Sequence, residues 1–150
     1  MSPGTTDGPA TDLPDLNVWL ALTCAGHVHH QAAVRYWEEL AAGEVRFCTV
    51  TALGLVRLLC QPKVMGELVH TPDQASAVLK ELASQPGVSF SEAEGRAWDV
   101  FHALVREPGL SHRQCTDAHL ASLAIGEGLR LVTFDQGFNR FAGLTWLRLD

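Results

Sequence analysis

Segments whose apolar residues recur every three or four positions alternate along this chain with short, continuous apolar runs. HHQAAVRYWEELAAGE places Ala33, Trp37, Leu40 and Ala41 at helical spacing and ends near Gly43, a common helix stop. EVRFCTV then predicts a short strand, and Thr51 precedes ALGLVRLLCQ, an apolar-rich helix closed by Pro62. KVMGELVH has no clear period and reads as a loop. Thr71, Pro72 and Gln74 supply an N-cap, a first-turn proline and the partner of a capping box, which predicts a helix over DQASAVLKELAS.

GVSF reads as a strand, and Ser91 with Glu94 repeats the capping-box signature ahead of AEGRAWDVFHALVRE. Ala97, Val100, Phe101 and Leu104 form one apolar face of that helix, which Pro108 and Gly109 stop. Thr116 or Asp117 is expected to cap AHLASLAIGEG, whose terminal Gly128 leads into the buried strand RLVTF, ending at Asp135. TWLRLD supplies a last strand, and a short first strand ends near Asp15, ahead of the helical NVWLAL. Strands alternating with helices imply parallel pairing and a sheet covered on both faces. The expected fold class is α/β, a three-layer α/β/α sandwich around a mainly parallel sheet.

Composition narrows the picture. A chain of 150 residues, 47% hydrophobic, has the material for about one domain, expected over residues 13–150 behind a small, polar, flexible leader at 1–12. The formal charge of -6 excludes a general basic field for nucleic acid or anionic membranes, so any polyanion must be held locally. Cys24, Cys48, Cys60 and Cys115 show no CxxC spacing and read as buried thiols of a reducing compartment. No apolar run approaches the roughly 18 residues of a membrane helix, which predicts a cytoplasmic protein.

In open parallel sheets the ligand crevice lies beyond the carboxyl ends of the strands, which gives acidic residues at strand exits special weight. Asp15 and Asp135 sit at such exits, and Asp117 opens the helix that feeds the last of these strands. Carboxylates that converge repel unless a cation joins them, and hard oxygen ligands favour Mg²⁺ or Mn²⁺. Such a site could bind a substrate phosphate and generate a hydroxide for in-line attack on phosphorus. Taken singly, Asp117 also reads as an N-cap, Asp135 as a turn residue and Asp15 as a solvated carboxylate.

DLNVWLAL at 15–22, HVHHQAA at 27–33, TALGLVRLL at 51–59, HRQCTDAHLASLA at 112–124 and TFDQGF at 133–138 together resemble the PIN-domain family, most closely VapC-type toxins of toxin–antitoxin pairs. The resemblance spans nearly everything after the leader, and the combination of DxN, TDAxLxxLA and TFDxxF in that order carries it. It implies a PIN-like sandwich that cuts RNA with Mg²⁺ or Mn²⁺, works as a homodimer and is silenced by a cognate antitoxin. The family's metal ligands carry over to Asp15, Asp117 and Asp135, which are thereby the expected catalytic residues. Asn17 matches the asparagine that supports the first aspartate, and Thr116 and Thr133 match the hydroxyl positions beside the other two. One position departs from the pattern. Relatives have an acidic or amide residue after the threonine of the central helix motif, where this chain has Ala52, which implies weaker binding of a second metal and slower turnover.

His27, His29 and His30 do not share a helix face as residues four apart would, and an exposed helix start is the simpler reading. His112, Arg113 and Arg57 are candidate contacts to the scissile phosphate or, for the first two, an antitoxin. Trp19, Trp37, Trp98 and Trp146 lie in apolar periodic stretches and are expected in the core or a dimer face rather than under RNA bases. No phosphate-binding glycine loop is present. Two other functions stay open at this level. A non-catalytic RNA- or protein-binding module would explain Ala52, and a phosphatase would use Asp15 as nucleophile, although Asn17 stands where its acid would be.

Overall fold

A computed structural model describes residues 11–150, so most of the expected leader lies outside the described residues. The short apolar runs are too brief for helices and pair edge to edge. β1 (Thr11–Pro14), β2 (Glu44–Phe47), β3 (Val88–Phe90), β4 (Arg130–Thr133) and β5 (Trp146–Arg148) form one sheet in the order β3-β2-β1-β4-β5. Every pairing is parallel, with Leu13 opposite Leu131, Val45 opposite Val88 and Val132 opposite Leu147.

The described residues form seven α-helices: α1 (Leu16–Thr23), α2 (His30–Arg35), α3 (Thr49–Leu59), α4 (Pro62–Met65), α5 (Pro72–Ala83), α6 (Gly95–Leu104) and α7 (Cys115–Glu127). Leu13 and Leu131 of the sheet pack with Ala97 of α6 and Leu120 and Leu123 of α7. Val45 and Phe47 pack in a separate cluster with Trp19, Leu55, Leu59 and Ala75, from α1, α3 and α5. The expected three layers are therefore present. Trp19 stacks on Phe47 with ring centroids 3.8 Å apart, and each such fully buried side chain contributes roughly 1.5–3 kcal/mol. Gly126 lets α6 and α7 approach, since a Cβ there would stand 3.0 Å from Ala97 Cα.

β1 takes in Thr11 and Asp12, which the sequence pattern assigns to the leader. Asp12 is fully buried and accepts hydrogen bonds from Arg130 Nε at 2.8 Å, Tyr36 Oη at 2.6 Å and the Ala42 N–H at 3.0 Å. Arg130 Nη2 also donates to the Leu40 carbonyl at 2.9 Å. Burial, then the neighbouring Asp12 carboxylate, pushes the Tyr36 hydroxyl far above its ordinary pKa, so it stays a donor. This network grips the π-helical turn Tyr36–Leu40, where the single long helix expected from residue 29 onward widens and ends.

Other boundaries move for local reasons. β2 stops at Phe47 and α3 starts at Thr49, because Thr51 Oγ1 accepts the Cys48 N–H at 3.0 Å and works inside the first turn rather than as the cap. The presumed loop after Gln61 holds α4 and a 3₁₀ turn, Gly66–Leu68. The Ser91–Glu94 capping box does not form, since Ser91 is buried and its hydroxyl accepts from Arg46 Nη1 at 2.8 Å, leaving α6 to begin at Gly95. Neither Thr116 nor Asp117 caps α7. Ser111 and Gln114 close a capping box on the preceding turn, His112–Gln114, and α7 begins at Cys115.

Candidate active site

The chain steps from β1 outward to β2 and β3, then crosses back to place β4 and β5 on the other side, so β1 and β4 flank the switch point of the sheet. A parallel sheet opens its ligand crevice beyond the carboxyl ends of the strands at this point. Asp15 follows β1 there and Asp135 follows β4.

Asp15 N-caps α1, with Oδ1 accepting the Leu16 N–H at 2.7 Å. Its Oδ2 accepts from Thr133 Oγ1 at 2.9 Å, and that hydroxyl in turn accepts the Asp135 N–H at 3.0 Å. Asn17 extends the network, with Nδ2 donating to Thr133 Oγ1 at 3.4 Å and Oδ1 accepting the Phe134 N–H at 3.5 Å. Asp135 Oδ1 accepts the Gly137 N–H at 2.8 Å, which fixes the carboxylate on a tight turn. Asp117 lies in the first turn of α7, where the helix dipole favours its anion.

The electrostatics join the three. Burial, then Asp15 and Asp135, pushes Asp117 up to about 6 from its ordinary 3.8. Burial also raises Asp15, with the Thr133 and Leu16 hydrogen bonds opposing and Asp135 adding to the rise. Among the described residues, no three acidic, histidine or cysteine side chains stand in a ready metal-ligating arrangement. The donor set nevertheless fits a hard divalent ion: it is all oxygen and its charges repel.

The remaining expected residues are scattered. Thr116 is exposed beside Asp117, Arg57 is exposed on α3, and His112 and Arg113 are exposed on the turn before α7. Ala52 is 6% accessible and packs in the Trp19, Phe47 and Leu55 cluster, so its side chain belongs to the apolar core. The α3 position that faces the start of α1 is Gly54, where a Cβ would meet Leu16 Cδ2 at 2.7 Å. The histidines divide: His29 stacks on Phe134 with centroids 4.5 Å apart, His30 Nδ1 meets the Ala21 carbonyl at 2.8 Å, and His27 Nδ1 accepts the His29 N–H at 3.0 Å. All four cysteines are free, but only Cys48 is buried and Cys115 is exposed, because Cys115 starts α7 at the surface. Trp19 is in the core as expected, whereas Trp98 keeps 42% of its surface accessible.

Glu92, which no sequence motif marks, lies just beyond the carboxyl end of β3. Its two oxygens accept from Thr49 Oγ1 at 2.7 Å, and its charge acts on His119, two residues past Asp117. Its position directly after a strand was the available signal.

A parallel α/β sandwich with coupled carboxylates at its switch point defines the chain as an α/β domain with an all-oxygen acidic centre. The family model for the PIN domain matches residues 13–144, and the chain belongs to that family. It is similar to Ribonuclease VapC41 of Mycobacterium tuberculosis, with 31% identity over 137 residues covering 88% of this chain and 94% of the relative. Ribonuclease VapC39 of the same organism is 36% identical over 130 residues, covering 83% and 88%. Among solved structures, VapBC2 from Rickettsia felis bound to a promoter DNA fragment matches with a TM-score of 0.70 at 16% identity, covering 93% of this chain and 99% of that one. VapC20 of M. tuberculosis, described as a Sarcin-Ricin loop cleaving toxin, matches with a TM-score of 0.66 at 19% identity, covering 89% and 98%. These two likenesses concern the fold.

Proposed function

We propose that this chain is a metal-dependent endoribonuclease, the toxin of a toxin–antitoxin pair. The observation that carries the reading is the electrostatic coupling of Asp15, Asp117 and Asp135 at the β1/β4 switch point in a chain whose relatives are named VapC ribonucleases.

Asp15, Asp117 and Asp135 would hold Mg²⁺ or Mn²⁺, which when bound supplies charge neutralisation at a phosphodiester and activation of water for in-line attack. The chain's own residues do the positioning. Thr133 holds Asp15 Oδ2, the Leu16 N–H holds Oδ1, and the Gly137 N–H holds Asp135 Oδ1, so these carboxylates keep their orientation without a ligand. Asn17 ties the Thr133 hydroxyl to the backbone after β4. Thr116, Arg57 and Arg113 remain proposed contacts, the first beside Asp117 and the arginines to the RNA. With a net charge of -6, attraction of RNA falls to the bound cation rather than to a basic surface.

Solved VapBC complexes among the structural neighbours support an antitoxin as partner, and we extend the reading to a homodimer. Free cysteines support a cytoplasmic location, and no helix among the described residues is long and apolar enough to cross a membrane. The test is incubation of a pool of structured RNAs with Mn²⁺ or EDTA, beside Asp15→Asn. Cleavage that needs both the metal and Asp15 supports the nuclease. RNA binding without cleavage under every condition overturns it in favour of a binding module.

A further inference from the structure

At the far end of α1 from Asp15, about 13 Å away by helical rise, two sulfur atoms meet at the wall of a cavity. Cys24 closes α1, its N–H donating to the Leu20 carbonyl at 3.0 Å, and Met65 ends α4, its N–H donating to the Gln61 carbonyl at 2.9 Å. Each sulfur is thus carried on a hydrogen-bonded helix end. The Cys24 thiol donates to Met65 Sδ, with Sγ and Sδ 3.7 Å apart. Both residues line a cavity of about 190 Å³ together with Leu20, His27, Val64 and Leu68, and the His27 N–H donates to the Cys24 carbonyl at 2.9 Å. The aliphatic side chains of this wall offer no electron pair, so its side-chain donors are two sulfurs and an imidazole. Such donors select a soft cation such as Cu(I) over Mg²⁺ or Mn²⁺.

We propose that Cys24 and Met65 form a Cu(I)-binding site, with His27 as a third donor. Two metal–sulfur bonds of about 2.3 Å span the 3.7 Å separation at an angle of roughly 107°, which suits a three-coordinate or tetrahedral ion. On binding, the Cys24 S–H bond breaks, the proton leaves to solvent and the thiolate sulfur gives its electron pair to the cation, while the Met65 thioether binds with no proton to lose. Burial holds the free Cys24 thiol above its ordinary pKa, so the empty site is protonated at neutral pH and each Cu(I) bound releases one proton. His27 Nδ1 already accepts the His29 N–H at 3.0 Å, so coordination by the imidazole gives up that bond or the Nε2 proton, and the two sulfurs are the main ligands. The ion would clamp α4 onto α1. This site is independent of the nuclease reading, because a hard all-oxygen centre and a soft sulfur pair hold different cations.

The test is anaerobic titration of the full chain with Cu(I) in competition with the chromophoric chelator bicinchoninate, followed in parallel by the ¹³C-methyl resonances of its two methionines. The wild type is expected to take one equivalent from the chelator, and that equivalent to shift the methyl resonance that Met65→Leu lacks. Met65→Leu should bind roughly tenfold more weakly and Cys24→Ser should lose the site, whereas Cys115→Ser, at an exposed thiol, should match the wild type. Excess Mn²⁺ should not displace the ion. Circular dichroism accompanies each variant, and the Met65 shift is read in the wild type, so the outcome does not depend on every variant folding. Cu(I) retained with the Met65 resonance unmoved, or retained undiminished by Cys24→Ser, overturns the site in favour of the other thiols. No retention against the chelator overturns it outright, and the sulfur contact is then packing alone. RNA cleavage and its dependence on Asp15 are read separately and stand or fall without this site.

Discussion

Thr133 donates its hydroxyl proton to Asp15 Oδ2 at 2.9 Å, and the same oxygen accepts the backbone N–H of Asp135 at 3.0 Å, so one side chain aligns two carboxylates from different strands. Replacing it with the near-isosteric valine keeps the volume and removes both bonds. Thr133→Val should lower Mn²⁺ affinity by roughly 10–100-fold in calorimetry and lower cleavage with it, whereas Thr133→Ser should stay close to wild type. Equal affinity in all three proteins would remove Thr133 from the support of the site.

Asp117 titrates at about 6 in the folded chain against an ordinary 3.8. Its folded form therefore holds the proton more tightly than the unfolded chain does, a stabilisation complete below about 3.8 and lost as pH rises through about 6. At pH 7.5 and without metal, the ionised side chain weakens the fold, and Asp117→Asn should raise Tm. The gain should be about 1 kcal/mol, well below the full shift, because the side chain is part solvated. Metal should raise the Tm of the wild type and not of the variant, and wild-type affinity for Mn²⁺ should fall as pH drops below about 6. Thermal denaturation with and without Mn²⁺ across this pH range reads all three effects.

Position 52 is the place where the family pattern suggests a missing acid, yet Ala52 packs in an apolar cluster. Ala52→Glu should thus bury a carboxylate among Trp19, Phe47 and Leu55, costing about 2–4 kcal/mol in urea denaturation, with no tightening of Mn²⁺ binding. Tighter binding at unchanged stability would place residue 52 at the metal site instead.

Arg130 neutralises the fully buried Asp12, which also holds Tyr36 and Ala42. Arg130→Met leaves that charge without its cation and should cost about 3–5 kcal/mol. Since the network clasps the end of β1 remote from Asp15, metal affinity measured well below Tm should change little. A loss of affinity without a loss of stability would contradict this division of labour.

The alternation of periods, the strand exits and the capping box at Thr71 are written in local sequence, because each depends on residues a few positions apart. Asp15 and Asp135 were legible for the same reason, as carboxylates at strand exits, whereas Asn17 and Thr133 were named only by the family resemblance; the Thr133 bonds join residues so marked. What the sequence did not show depends on partners brought from afar. Asp12 looks like part of a polar leader until Arg130, 118 positions later, pairs with it. Ser91 looks like a helix cap until Arg46 claims its hydroxyl. Trp98 looks like core until packing of α6 on α7 leaves it accessible, and Glu92 acquires a role only when Thr49 and His119 meet it.

By itself, then, the sequence determined the fold class and named the three aspartates, since periodicity and strand-end motifs are local properties of the chain. Tertiary structure alone decided that the β1/β4 switch point brings Asp15 and Asp135 within electrostatic reach of Asp117 and that Ala52 turns into the core. Carboxylate repulsion and side-chain burial are functions of distance in space, and distance in space is set only when the sheet and its two helical layers close.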